Sequence, residues 1–148
     1  MIIREAEGRD AEHLRELYFC YLTSNPPTEE QDMEEWARRI EQFRGDSRVH
    51  LLVAEEDGRV VSTIQLTIVQ GLTHNMRPFG VIESVVTHGD YEGRGFCSAL
   101  LSRASEIAEE HHCYKIMLAT SSNEERTLNF YRKNGYIVDA KHSCIKWL

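Results

Sequence analysis

One stretch constrains the fold of this chain more than any other. Val81-Ile82-Glu83-Ser84-Val85-Val86 is an apolar run, Tyr91-Glu92-Gly93-Arg94-Gly95 is a glycine-bearing turn, and Phe96-Cys97-Ser98-Ala99-Leu100-Leu101 opens an amphipathic segment. Strand, turn and helix start, in that order, make a place to hold an anion. The first N–H groups of a helix have no partner inside it, and the helix dipole adds partial positive charge there. Glycines let the backbone approach a phosphate closely.

The periodicity around this stretch predicts the other elements. Ile2 to Glu5 reads as a short strand. Leu14, Leu17, Tyr18, Tyr21 and Leu22 have helical spacing, with Asp10 as N-cap. After Asn25-Pro26-Pro27 a second helix is expected over Thr28 to Arg44. It would open on a Thr28/Gln31 capping box and bury Met33, Trp36, Ala37, Ile40 and Phe43. His50 to Ala54 and Val60 to Val69 read as strands joined at Asp57-Gly58, a strong hairpin signal. Gln70 to Pro78 reads as a loop, Gly80 to Thr87 as a strand, and Gly95 to Glu109 as a helix. A strand over Lys115 to Thr120, a helix over Glu124 to Lys133 ended by Gly135, and closing strands at Tyr136-Ile137-Val138 and Ser143 to Trp147 complete the chain. The expected order is βααβββαβαββ. It describes an α/β domain over residues 1–148, with a mixed, mostly antiparallel sheet of about seven strands and four flanking helices.

Composition excludes several classes. The 148 residues suit one domain, and 41% apolar residues suffice for a core. A net charge of −7 argues against a nucleic-acid binder, which needs a basic face. No apolar run approaches the ~20 residues that span a bilayer. Cys20, Cys97, Cys113 and Cys144 lack metal-ligand spacing. No signal peptide is visible at the start, so a reduced, cytoplasmic location is the expectation. The turn lacks the GK[ST] of a P-loop and the third glycine of a dinucleotide fingerprint.

Val86, Gly93, Arg94, Gly95, Ala99, Leu100 and Leu101 together resemble the GNAT superfamily of acetyl-CoA-dependent N-acetyltransferases. That family places Gln/Arg-x-x-Gly-x-Gly/Ala between a Val-x-Val strand and an Ala-Leu-Leu helix. A second signature is Asn129-Phe130-Tyr131-Arg132-Lys133-Asn134-Gly135-Tyr136. The resemblance covers Leu51 to Tyr136. Two positions depart from it: Glu92 stands where Gln or Arg is usual, and Cys97 where Gly or Ala is usual.

The resemblance implies transfer of an acetyl group from acetyl-CoA to a primary amine of a small molecule or peptide, by direct attack in a ternary complex and without a metal. The pyrophosphate would take N–H groups from Gly93, Arg94, Gly95, Phe96, Cys97 and Ser98, with charge from Arg94. The pantetheine arm would pair with the edge of Ser84, Val85, Val86 and Thr87, and Asn123, Phe130, Tyr131 and Lys133 would complete the carrier site. The Val86 N–H would face the thioester oxygen. Tyr131 would protonate the leaving thiolate, and Glu83 would deprotonate the amine. Each has a plainer reading: Val85 and Val86 as sheet core, Tyr131 as helix core, Glu83 on a solvated face, Cys97 as a small buried residue and Asn123 as a helix cap. His88 reads as a solvated loop histidine more than as a proton relay. His111 and His112 suit a helix C-terminus better than a metal. Tyr18, Tyr21, Trp36 and His74 could line the acceptor side, or serve as core and loop surface. A non-catalytic acyl-CoA-binding module is the competing function. Many relatives are homodimers, and nothing in the sequence marks an interface.

Overall fold

Alternating apolar residues and one tight hairpin build the sheet. The computed structural model describes all residues, Met1–Leu148. Strand β1 is Ile2–Glu5, β2 Val49–Glu56, β3 Arg59–Val69, β4 Phe79–Thr87 and β5 Ile116–Leu118. They lie in chain order in one sheet. The first three pairings are antiparallel, and β5 joins β4 after a helical crossover, which makes the sheet mixed. Asp57 and Gly58 turn β2 into β3 with positive φ at both residues, as a type I′ hairpin requires.

The helices are α1 Ala11–Glu16, α2 Met33–Arg44, α3 Thr73–Met76, α4 Phe96–Glu110 and α5 Glu125–Lys133. The observed order, βααββαβαβα, has five strands and five helices, not seven and four. The extra helix, α3, is a single turn with left-handed His74, Asn75 and Met76, where a loop was expected. The two closing strands do not form. Asp139 at φ 64° bends the chain directly after Tyr136-Ile137-Val138, too short a run to pair. Ile137, Ile145 and Trp147 stay exposed, and a strand without a partner ladder has nothing to hold it. The chain divides into two compact units, Met1–Met117 and Leu118–Leu148.

In the first unit the sheet is covered on both faces. Leu14 and Leu17 from the α1 region and Ile40 from α2 pack with Leu51, Val53, Val60 and Val86 on one face. Helix α4 packs on β2, β3 and β4, burying Phe96, Leu100, Leu101, Ala104 and Ile107. Helix α2 starts at Met33 because Asp32, not Thr28, caps it: its Oδ1 accepts N–H bonds from Glu34 (3.0 Å) and Glu35 (3.1 Å). Helix α1 continues into a wide π turn, Leu17–Leu22, closed by Thr23 N–H donating to Tyr18 O. The added residue rotates Tyr21 and Leu22 off the buried face that regular spacing predicts. In the second unit, α5 ends in a Schellman motif: Tyr136 N–H donates to Tyr131 O and Gly135 N–H to Arg132 O.

Asp10 stands at the N-cap of α1, as expected, but its side chain makes no cap bond to that helix: it accepts the Glu7 N–H (2.8 Å) and is a buried ion-pair partner. Arg4 holds it with two bonds (2.7 and 2.9 Å) and reaches Glu55 as well (2.7 Å). Burial opposes ionisation of Asp10, but the bonds from Arg4 and the Glu7 N–H outweigh it and keep the carboxyl below its usual range. A lowered pKa adds stability that is complete above the unfolded value of about 4 and lost as pH falls below it. Asp10→Asn should therefore cost about 2 kcal/mol at pH 7 by denaturant unfolding, with the gap to wild type closing toward pH 2. A gap that is constant with pH would contradict this assignment. His112 supplies the left-handed C′ residue of α4, at φ 59°. His112→Gly should stabilise the protein by about 1 kcal/mol, read as a raised Tm.

Candidate active site

The β3–β4 pairing contains the feature that shapes the site. Thr63 pairs with Val86, but Gln65 pairs with Glu83, so Ser84 and Val85 together oppose Ile64. This is a β-bulge, and Ser84 adopts φ 55° within it. Cross-strand partners share a face, and Thr63 and Gln65 are two residues apart on β3. Glu83 and Val86 therefore lie on one face, which regular alternation would forbid. That face carries α1 and α2, because Val86 packs in their core. Glu83 is exposed there. No glycine or proline marks this segment, so the sequence did not reveal the bulge.

The ladder phase assigns the backbone amides. His88 N–H donates to Val61 O at 2.8 Å. Two residues earlier, the Thr63–Val86 pair must exchange its bonds in the same phase, which turns the Val86 N–H toward β3. The Val86 oxygen also accepts from Ser62 Oγ (3.0 Å). In an extended chain the neighbouring Val85 amide points to the opposite edge. Strand β5 has three residues and starts beside Gly80, whose N–H donates to Lys115 O. It is too short to accompany β4 as far as Thr87.

The turn into α4 has the geometry of an anion cradle. Gly93 and Gly95 adopt φ 72° and 88°, and a Cβ at either would meet nothing within 4 Å. Their conformation demands glycine, and the space beside them is open. Gly95 caps the helix without a side chain, and the first intrahelical bond is Ala99 N–H to Gly95 O at 3.0 Å. The amides of Phe96, Cys97 and Ser98 precede that bond, where a helix leaves its N–H groups free. The Phe96 side chain is buried. Burial alone pushes the Cys97 thiol up to about 12, so this departure from the family pattern is a neutral, half-buried thiol. Arg94 turns aside: its guanidinium meets Glu56 at 3.3 Å and lies over the rings of Tyr91 and Phe96. These groups fit a diphosphate with an extended arm along β4.

The remaining candidates fall in two places. Asn123, Phe130, Tyr131 and Lys133 belong to the second unit. There Tyr131 is buried against Phe130 (ring centroids 5.2 Å) and Tyr136 (5.9 Å), while Asn123 and Lys133 are exposed. The N-cap of α5 is Glu124, so Asn123 is not the cap. In the first unit Trp36 packs on Tyr18 and Phe19, and His74 stacks on Tyr114. His88 is not a solvated loop residue: it is 6% exposed and bonded to Tyr21. Only the π turn brings Tyr21 to it, and no sequence signal marks that turn. The two ring nitrogens of His111 lie beside separate carbonyls, Ile107 O (2.9 Å) and Ser47 O (3.0 Å), at the end of α4, and do not converge on one point. No helix is long and apolar enough to cross a membrane.

Thiol chemistry checks the burial of the turn. At pH 8 a maleimide or disulfide reagent should label Cys20 and Cys144, which are exposed, within minutes and leave Cys97 unlabelled until the protein unfolds. Rapid native-state labelling of Cys97, read by peptide mass spectrometry, would contradict this packing.

Comparison with known proteins agrees with this architecture. A glucosamine 6-phosphate N-acetyltransferase of Trypanosoma brucei brucei is 38% identical over 79 residues, which are 53% of this chain and 52% of that protein. The match thus spans about half the length of that curated relative. A solved structure from Agrobacterium tumefaciens str. C58, provisionally designated an acetyltransferase, is 31% identical with a TM-score of 0.87, covering 99% of this chain and 100% of that one. The structure of a Trypanosoma brucei acetyltransferase is 28% identical, with a TM-score of 0.80 and 99% coverage of each chain. Residues 11–136 match the acetyltransferase (GNAT) family, and the chain belongs to that family.

Proposed function

We propose that the protein is an N-acetyltransferase that uses acetyl-CoA to acetylate the primary amine of a small molecule, with amino sugar phosphates the favoured class. The observation that carries this reading is the bulge in β4 set beside the open turn into α4. Together they offer amide donors for a diphosphate, a strand edge for an extended arm, and a carboxylate on the face next to that edge. The likeness to a glucosamine 6-phosphate N-acetyltransferase supports the acceptor class.

Acetyl-CoA, when bound, supplies an activated acyl thioester, and the chain's own groups do the rest. The amides from Gly93 to Ser98 bind the diphosphate; Arg94 joins them by leaving Glu56. The edge of Val85 and Thr87 holds the arm. The ladder phase favours the Val85 amide, one residue before Val86, as donor to the thioester oxygen; Val86 supports it from the core. One such donor is worth roughly 3 kcal/mol in the transition state. Glu83, on the α1/α2 face, takes the ammonium proton directly or through water, so that the neutral amine attacks. The family resemblance assigns Tyr131, with Phe130 against its ring, the role of proton donor to the leaving thiolate, and Asn123 and Lys133 would add polar contacts to the carrier.

Thiol release from acetyl-CoA with glucosamine 6-phosphate and other amino sugars tests the reading. Wild type should release thiol in proportion to amine. Glu83→Gln should lower kcat/KM about 100-fold near neutral pH, with partial recovery at high pH as free amine accumulates. Tyr131→Phe should lower kcat more than it raises the KM for acetyl-CoA. A thermal shift with CoA but no thiol release with any amine would replace this reading by a carrier-binding module. Unchanged turnover in Glu83→Gln would remove Glu83 as base.

A further inference from the structure

His88 and Tyr21 form a pair that the chemistry above does not use. The Tyr21 hydroxyl lies 2.9 Å from His88 Nε2, and the two rings are 4.4 Å apart. On the other side of the imidazole, Nδ1 accepts the Asp90 backbone N–H at 3.2 Å. A nitrogen that accepts an N–H carries no hydrogen, so a neutral His88 keeps its hydrogen on Nε2. That N–H then donates to the Tyr21 oxygen. The hydroxyl hydrogen of Tyr21 is left over, and Tyr21 is 41% exposed while His88 is 6% exposed. The buried ring thus fixes a phenol and directs its free donor outward.

The position of the pair indicates what the donor meets. His88 follows Val86 by two residues, and its partner Tyr21 comes from the π turn after α1. The pair therefore sits on the α1/α2 face, with Glu83 and Val86. Helix α4 and its anion cradle belong to the other face. On the proposed reading the carrier's diphosphate occupies the cradle, and the amine approaches from the α1/α2 side. Three residues of strand separate His88 from Val85, on the order of 10 Å at ~3.3 Å per residue. A group held by Tyr21 is thus remote from the reacting nitrogen. Charged neighbours leave the phenol neutral: Glu16 is paired with Arg59 (2.6 Å), and desolvation together with the charges of Asp90 and Glu16 raises the Tyr21 pKa, keeping the phenol a donor. Gly89 completes the seat, because a Cβ there would come 3.3 Å from the Tyr21 ring.

We propose that His88 is a positioning residue which holds the Tyr21 hydroxyl as a hydrogen-bond donor to an oxygen of the acceptor, distant from its amine. The inference rests on the transferase reading and deepens it: acceptors carrying a remote hydroxyl or phosphate oxygen are preferred to plain alkylamines.

Kinetics with glucosamine 6-phosphate and with cyclohexylamine, which has no oxygen, test it. Tyr21→Phe should raise the KM for glucosamine 6-phosphate about tenfold, leave the KM for acetyl-CoA unchanged, and leave kcat/KM for cyclohexylamine unchanged. His88→Asn keeps an acceptor for the Asp90 N–H but cannot reach Tyr21. It should reproduce the Tyr21→Phe effect in a protein that still unfolds cooperatively, with a lowered Tm from the lost ring, and the double variant should have a KM no worse than either single one. Nitrogen-15 NMR of the imidazole should report the Nε2–H form in the free protein. A proton on Nδ1, a KM change shared by both amines, or a shift confined to acetyl-CoA would overturn the proposal. With an active wild type, those results defeat the positioning role alone. A wild type that releases no thiol with any amine defeats the transferase reading, and this role falls with it.

Discussion

One extra residue in β4 sets the plan of the site. A strand paired throughout would send Glu83 and Val86 to opposite faces and give every amide on one edge to its neighbour. The slip at Ser84–Val85 breaks that symmetry. It places a carboxylate and a core valine on the same face and turns an amide toward an edge that β5 is too short to cover. The non-glycine φ of 55° at Ser84 has an energetic cost, of order 1 kcal/mol for a left-handed residue. The surrounding core offsets that cost: Ile82 and Val86 flank the bulge and are almost fully buried.

The second constraint is the entry into α4. Positive φ at Gly93 and Gly95 lets the chain leave the sheet and start a helix within a few residues, with open space in front of the first amides. The helix is anchored from behind by Phe96, Leu100 and Leu101, so the amides are held rigidly by the same packing that stabilises the sheet. Cys97 takes part in that packing as a neutral thiol. Arg94 is the flexible member, resting on Glu56 and two aromatic rings, from which a multiply charged ligand could draw it.

The sequence revealed what local chemistry dictates. Asp57-Gly58 predicted the hairpin, and the helical spacing from Phe96 to Ile107 predicted α4 and its buried face. Glycine spacing located the turn into α4. What it hid arises from non-local or compensated geometry. The bulge lies in Ile-Glu-Ser-Val-Val, where each residue suits a regular strand. The π turn has the apolar spacing of an ordinary helix, yet it rotates Tyr21 onto His88 and so buries a histidine that reads as loop surface. Thr28 and Gln31 match a capping pattern, but Asp32, adjacent to the first apolar residue of α2, captures the amides first. The tail after Gly135 alternates like a strand, and a left-handed Asp139 interrupts it.

The central claim is that the backbone from the bulge to the start of α4 grips a diphosphate and its extended arm. Amide-resolved NMR titration with CoA tests it most directly, because it reads those N–H groups one by one. The account predicts saturable shifts concentrated at Val85, Thr87, Gly93, Gly95, Phe96, Cys97 and Ser98. Saturation with these amides unmoved, or no binding at millimolar CoA, would contradict it.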